Sequence, residues 1–191
     1  MWRESQTIHR EISYYKGREY YSGGNKKKTE SSGTAWTNGE FAHLLRITFA
    51  LSSEARFDWD HWEQHSGEKL AVFSYSIEAS HSQLDIDTQI VRSGVWQPAQ
   101  LSAGYRGFVS FDPKSGAIFR LVSNTLGIPP EYAINQGNTG SQLWTGRDCR
   151  KHLFLLTDAM SYIGTKQYEA RFEKTFSQYR KFEAESKILE R

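Results

Sequence analysis

The stretch Leu70-Ala71-Val72-Phe73-Ser74-Tyr75-Ser76-Ile77-Glu78-Ala79 decides how this chain folds. Successive side chains of an extended strand point to opposite sides. Ala71, Phe73, Tyr75, Ile77 and Ala79 therefore share one face, and Ser74, Ser76 and Glu78 share the other. Leu84, Ile86, Thr88 and Ile90 repeat this period downstream. Upstream, Phe57 to Trp62 roughly alternates, with Ser66-Gly67 as the intervening turn. Gly104–Phe111 and Ala117–Val122 flank Asp112-Pro113-Lys114-Ser115-Gly116. Asp, Pro and Gly at those turn positions predict a hairpin. Leu126-Gly127-Ile128-Pro129-Pro130 reads as a loop, because proline cannot donate to a ladder. Residues 152–164 return to strand composition.

Toward the N-terminus, residues 8–15 and 18–21 are aromatic-rich runs around Lys16-Gly17 and predict another hairpin. Residues 22–35 read as an exposed loop rich in Ser, Gly and Lys. Alternation starts near Ile8, so the domain opens in mid-sheet and is expected to lack an N-terminal segment. No apolar secretory region precedes it. Thr37-Asn38-Gly39-Glu40 fits a capping box. After it, Phe41, Leu44, Leu45, Thr48 and Leu51 make an apolar helical face, widened by Ile47 and Phe49. The spacing predicts a helix over 38–52. At the other end, Phe182, Ala184, Ser186 and Ile188 alternate with charges and read as a closing strand. Residues 1–191 thus form one domain of α+β class: a curved, largely antiparallel β-sheet with a helix packed across its concave face.

Composition excludes several functions. With 191 residues and 38% hydrophobic content, the chain can bury one real core. Lys+Arg 24 against Asp+Glu 22 leaves a charge of +2 and no global electrostatic case for nucleic acid. No apolar run approaches the roughly 20 residues that cross a bilayer. The single cysteine, Cys149, excludes an internal disulfide and a multi-thiolate metal site. Its cationic flanks would favour a thiolate, yet no partner base is evident. Lys26-Lys27-Lys28 is a short basic run in the loop, and reads as solvated.

His61 and His65 stand four apart beside Asp58, Asp60 and Glu63, a spacing that shares a metal only on a helix. The alternation there is a strand's, so a metal-dependent enzyme is the weakest reading. No nucleophile elbow, phosphate loop or dinucleotide fingerprint occurs. The chain is accordingly expected to be no enzyme and to need no cofactor or metal.

Aromatic residues carry more. Tyr14, Tyr15, Tyr20, Tyr21, Trp59, Phe73, Tyr75, Tyr105, Phe108 and Phe111 all fall on predicted strands. Filling the core beneath the helix is the plainer role for them. The sharper one is an apolar groove lined by Phe41, Leu45, Phe73, Tyr75, Val109 and Phe111.

The segments Arg10–Tyr21, Asn38–Phe41, Val72–Tyr75, Gly107–Gly116 and Tyr179–Ser186 resemble a group of uncharacterised bacterial exported proteins. Those look like distant relatives of the periplasmic lipoprotein-carrier (LolA/RseB-like) superfamily. The resemblance implies an incomplete antiparallel barrel covered by helices, with an interior that holds acyl chains. It implies no catalytic residue. It departs where Thr157 stands, since the group tends to carry proline there, and in lacking the exported N-terminal region. The expected function is a non-enzymatic extracytoplasmic binding module for a lipid, acyl chain or lipoprotein. A protein-protein interaction domain is the alternative. Expected partners are a lipid or acylated protein, or another protein, with peripheral membrane contact at most and no nucleic acid. The expected location is periplasmic or otherwise exported.

Overall fold

In the computed structural model, residues 9, 11–15, 18–22, 43–65, 67–148, 153–165 and 169–180 are described. β1 (Glu11–Tyr15) and β2 (Arg18–Ser22) form the expected N-terminal hairpin. A short helix, α1 (His43–Thr48), leads to a 3-10 turn at Leu51–Ser53. Then follow β3 (Arg56–His65), β4 (Glu68–Ile77), β5 (Asp85–Arg92), β6 (Val95–Ser102), β7 (Gly104–Phe111), β8 (Ile118–Leu126), β9 (Ile134–Asp148), β10 (Leu153–Thr165) and β11 (Glu169–Thr175).

Seven strands make one sheet in the order β11-β10-β9-β8-β7-β4-β3, each neighbour antiparallel. The order is a meander with the β5–β6 hairpin inserted between β4 and β7. Among the described residues β3 and β11 end the order and do not pair with each other, so the barrel is not closed. Hairpin β5–β6 turns through Ser93 (φ 51°) and Gly94 (φ 78°). Two positive φ angles in a two-residue loop match the twist of the strands they join. The hairpin is held by Val91 N–H to Glu131 O (3.1 Å) and Ala133 N–H to Gln89 O (2.9 Å). The expected hairpin at Asp112–Gly116 is present. Asp112 accepts from the N–H of Lys114 at 2.9 Å, and Gly116 takes φ 71°.

The main core cluster lies on one face of the large sheet, and Leu70 and Val72 are buried on the other. Register sets Phe73 beside Val109, Tyr75 beside Gly107 and Ile77 beside Tyr105. Leu121, Leu156 and Ala159 continue that cluster. The Tyr75 phenol reaches over Gly107 and donates to the Val122 carbonyl at 2.8 Å, so one side chain of β4 ties down β8 across β7. The Val122 oxygen leans into the space a side chain at 107 would fill, 1.8 Å from an ideal Cβ. Only glycine fits there.

The expected helix over 38–52 across the sheet is corrected. Residues 37–42 lie outside the described residues, and α1 has only six. Leu44 and Ile47 enter the core cluster, but Leu51, expected on the same face, is 99% exposed. Two local causes shorten it. Ile47, Thr48 and Phe49 are weak helix formers. Buried Ser53 then donates to the carbonyls of Thr48 (3.1 Å) and Ala50 (2.7 Å), satisfying acceptors that further turns would have used. Among the described residues α1 contributes only Leu44 and Ile47 to the core cluster and does not span the sheet. Ser22, expected to open the loop at 22–35, instead closes β2, and residues 23–35, Lys26 to Lys28, Cys149 and the closing strand at 182–188 all lie outside the described residues.

Gly107→Ala is expected to cost about 3 kcal/mol or more, since its Cβ meets backbone that cannot move aside. Gly94→Ala, which meets open space but keeps a positive φ, should cost about 1–2 kcal/mol. Urea denaturation of the two variants checks the ranking.

Candidate functional site

Two surfaces stand out, one on each face of the large sheet. The first is a row of aromatic rings on the core face, running outward along β4 and β3. Phe111 stacks on Phe73 at 5.5 Å, and Phe73 meets the edge of Trp59 at 5.4 Å. Trp59 contacts Trp62 at 5.0 Å. A parallel line runs from Tyr105 to Tyr75 (6.2 Å), Phe57 (5.8 Å) and Phe49 (5.6 Å). Tyr75 and Tyr105 are buried, and Phe73 and Phe111 are half-buried. Trp59 and Trp62 are each about half exposed, at 50% and 49%, and Phe49 and Phe57 are exposed beside them. The Lys69 ammonium sits 4.3 Å above the Trp62 ring, a cation held at the rim of the patch.

Trp62 belongs to this row because β3 is irregular. Strict alternation would send Trp59 and Trp62 to opposite faces. The register shifts between Trp59 and His61, so Asp60 is an extra residue and Trp62 returns to the face of Trp59.

Of the six groove candidates, five share this face. Tyr75 and Val109 are buried in the core cluster, Leu45 and Phe73 are packed half-buried against it, and Phe111 stacks on Phe73. Phe41 lies outside the described residues. Burial leaves Tyr75 and Val109 little surface to offer, and the accessible apolar area belongs to Phe49, Phe57, Trp59 and Trp62. From the sequence Trp59 falls on a strand and Phe49 on the helical face, but Trp62 cannot be placed beside Trp59, since a bulge leaves no mark on composition. Trp96, on the β5–β6 hairpin, is exposed as well.

On the opposite face a cavity of about 480 Å³ is lined by Glu63, His65, Leu70, Ser110, Phe119, Arg120, Thr145, Thr157 and Asp158. Ser110, fully buried, donates to Glu63 at 3.2 Å, and the Arg120 guanidinium stands 3.9 Å from the other oxygen of Glu63. The His65 ring meets the Phe119 ring at 6.3 Å. Thr145 donates to the Ile118 carbonyl beside Phe119.

His61 and His65 lie on one strand and point the same way, opposite Val72 and Glu68. Four strand residues separate them by about 13 Å, too far to share one ion. His61 instead pairs with Asp60 at 2.5 Å. Among the described residues no group of three or more His, Cys, Asp and Glu could hold a metal.

Burial pushes the Tyr75 and Tyr105 phenols above their ordinary value of 10.0. For Tyr75 the hydroxyls of Ser123 and Thr48 offset part of that shift. Tyr179, which donates to the Leu156 carbonyl, is pushed up to about 12, by burial first and by the Asp158 charge second. A phenol whose folded pKa is raised stabilises the fold fully below its unfolded value, and that contribution is lost as pH rises through the folded one. Stability should therefore hold to about pH 10 and fall between pH 10 and 12. Tyrosine absorbance at 295 nm should show the late ionisations arriving together with unfolding, and Tyr75→Phe should flatten the decline.

In comparisons with known proteins, no family model, no curated protein and no solved structure matches this chain.

Proposed function

We propose that the chain is a non-enzymatic binding module that holds an acyl chain, of a lipid or an acylated protein, against the aromatic row. One observation carries this reading. Exposed Phe57, Trp59 and Trp62 on β3, with Phe49 beside them, meet half-buried Phe73 and buried Tyr75, so a ligand laid on the edge meets apolar surface continuous with the core. Contiguous exposed apolar area of this kind marks a binding surface. Each methylene removed from water contributes about 0.8 kcal/mol, so a chain binds by burial without directional contacts. Lys69 over Trp62 supplies one positive charge for the anionic end of such a ligand.

The open antiparallel sheet agrees with the incomplete barrel that the resemblance to periplasmic lipoprotein carriers implies. On this reading the module works outside the cytoplasm, where a shuttled acyl chain needs shielding from water.

A second reading rests on a separate observation. Among the described residues β3 pairs only with β4 over its ten residues, leaving its other side as a sheet edge. Such an edge can accept a strand from a protein partner.

Two measurements separate them. A native mass spectrum of the purified chain should show an excess mass of lipid size that disappears on denaturation. Brominated fatty acid should quench tryptophan fluorescence, and Trp59→Asp should weaken its binding about 10- to 100-fold, the range expected for losing one large apolar contact. An unladen chain with no quenching would leave the sheet edge as the functional surface and remove the acyl-chain reading.

A further inference from the structure

The cavity opposite the aromatic row is built from irregularities that a plain sheet would not contain. Each register shift in β7–β8 and in the middle of β9–β10 puts an extra residue on the cavity wall. Between the pairs Ser110–Arg120 and Phe111–Ile118 the extra residue is Phe119. Between Leu156–Thr145 and Asp158–Trp144 it is Thr157. The shift at Asp60 in β3 sets the facing of Glu63 and His65, which line the third side. Bulges re-aim side chains and cluster beside functional sites. Two of them place their extra residue on the wall of this hollow, and the third turns Glu63 and His65 toward it.

The groups so gathered define the ligand chemistry. One guanidinium, two carboxylates, one imidazole and three hydroxyls surround two apolar side chains, Leu70 and Phe119. A single Arg120 against Glu63 and Asp158 leaves no net positive charge for a free phosphate or carboxylate. Arg120 also keeps a buried Nε–H without an acceptor, while its Nη1 stands at the long distance of 3.9 Å from Glu63. Planar carboxylate and guanidinium groups each present paired oxygens or N–H groups at the spacing of vicinal hydroxyls. An aromatic ring beside them offers a platform for C–H faces.

We infer that this cavity is a binding site for a neutral polyhydroxylated ligand, a saccharide unit. Arg120 donates to its hydroxyls, Glu63 and Asp158 accept from them, and Phe119 packs against the ring. The site is independent of the acyl-chain reading, because the two lie on opposite faces of the sheet and share no residue.

Saturation-transfer NMR with maltose, cellobiose and N,N′-diacetylchitobiose tests it on the full chain. At least one of the three should receive saturation. Arg120→Ala and Asp158→Asn should each cut that signal at least tenfold, and Trp59→Ala should leave it intact. Asp158 is exposed, so Asp158→Asn decides alone if a thermal melt shows Arg120→Ala to be unfolded. The inference is overturned by silence from all three sugars, or by a signal that survives Asp158→Asn. It is equally overturned by a signal lost with Trp59→Ala but kept in both cavity variants.

Discussion

Everything on this molecule is counted from the point where Tyr75 lies across Gly107 and bonds the Val122 carbonyl. A strand slipped by one residue turns all its side chains to the other face, so a sheet with two different faces needs its register pinned. The phenol does this for three strands at once. It can do so only because β7 carries no side chain at 107, where the Val122 oxygen occupies the room. A neutral buried hydrogen bond is worth only about 1 kcal/mol net. The larger effect is on alternatives: any shifted pairing would strand a buried hydroxyl and drive a carbonyl into a Cβ.

With the centre held in register, the irregularities of β3, of β7–β8 and of the middle of β9–β10 shape both surfaces. Asp60 turns Trp62 onto the aromatic face and sets Glu63 on the opposite one. Phe119 and Thr157 are the extra residues beneath the polar cavity. One structural device thus serves two surfaces of opposite chemistry. On the proposed readings, opposite faces would let an apolar and a polar ligand be held without competing for the same side chains.

The central strands could be read directly from the residues, since β4, β7 and β8 alternate cleanly and Asp112–Gly116 carries its turn chemistry in plain view. β9 could not. Its run Ile134-Asn135-Gln136-Gly137-Asn138-Thr139-Gly140 is rich in residues that disfavour strands, and of these Ile134, Thr139 and Gly140 pair with β10 and Gly140 also with β8. β6 hides behind Pro98, which an edge strand accepts and an interior one does not. The helix is overcalled for the opposite reason. Its apolar spacing is real, but Ser53 ends it before Leu51 can turn inward. The candidate groove shares its face with the rings found there, yet the exposed members are others, because the shift at Asp60 is a matter of pairing geometry. The polar cavity could not be read at all, as its residues come from β3, β4, β7, β8, β9 and β10 and meet only through bulges.

The claim that bulges set these surfaces is tested most directly by the contact between two side chains three residues apart. Proton NMR of the folded chain, with the tryptophans assigned by substitution, should show cross-peaks between the indole rings of Trp59 and Trp62, and between Trp59 and Phe73. A regular β3 would instead place Trp62 among Leu70 and Val72, with no indole–indole contact. That pattern would contradict the account at its root.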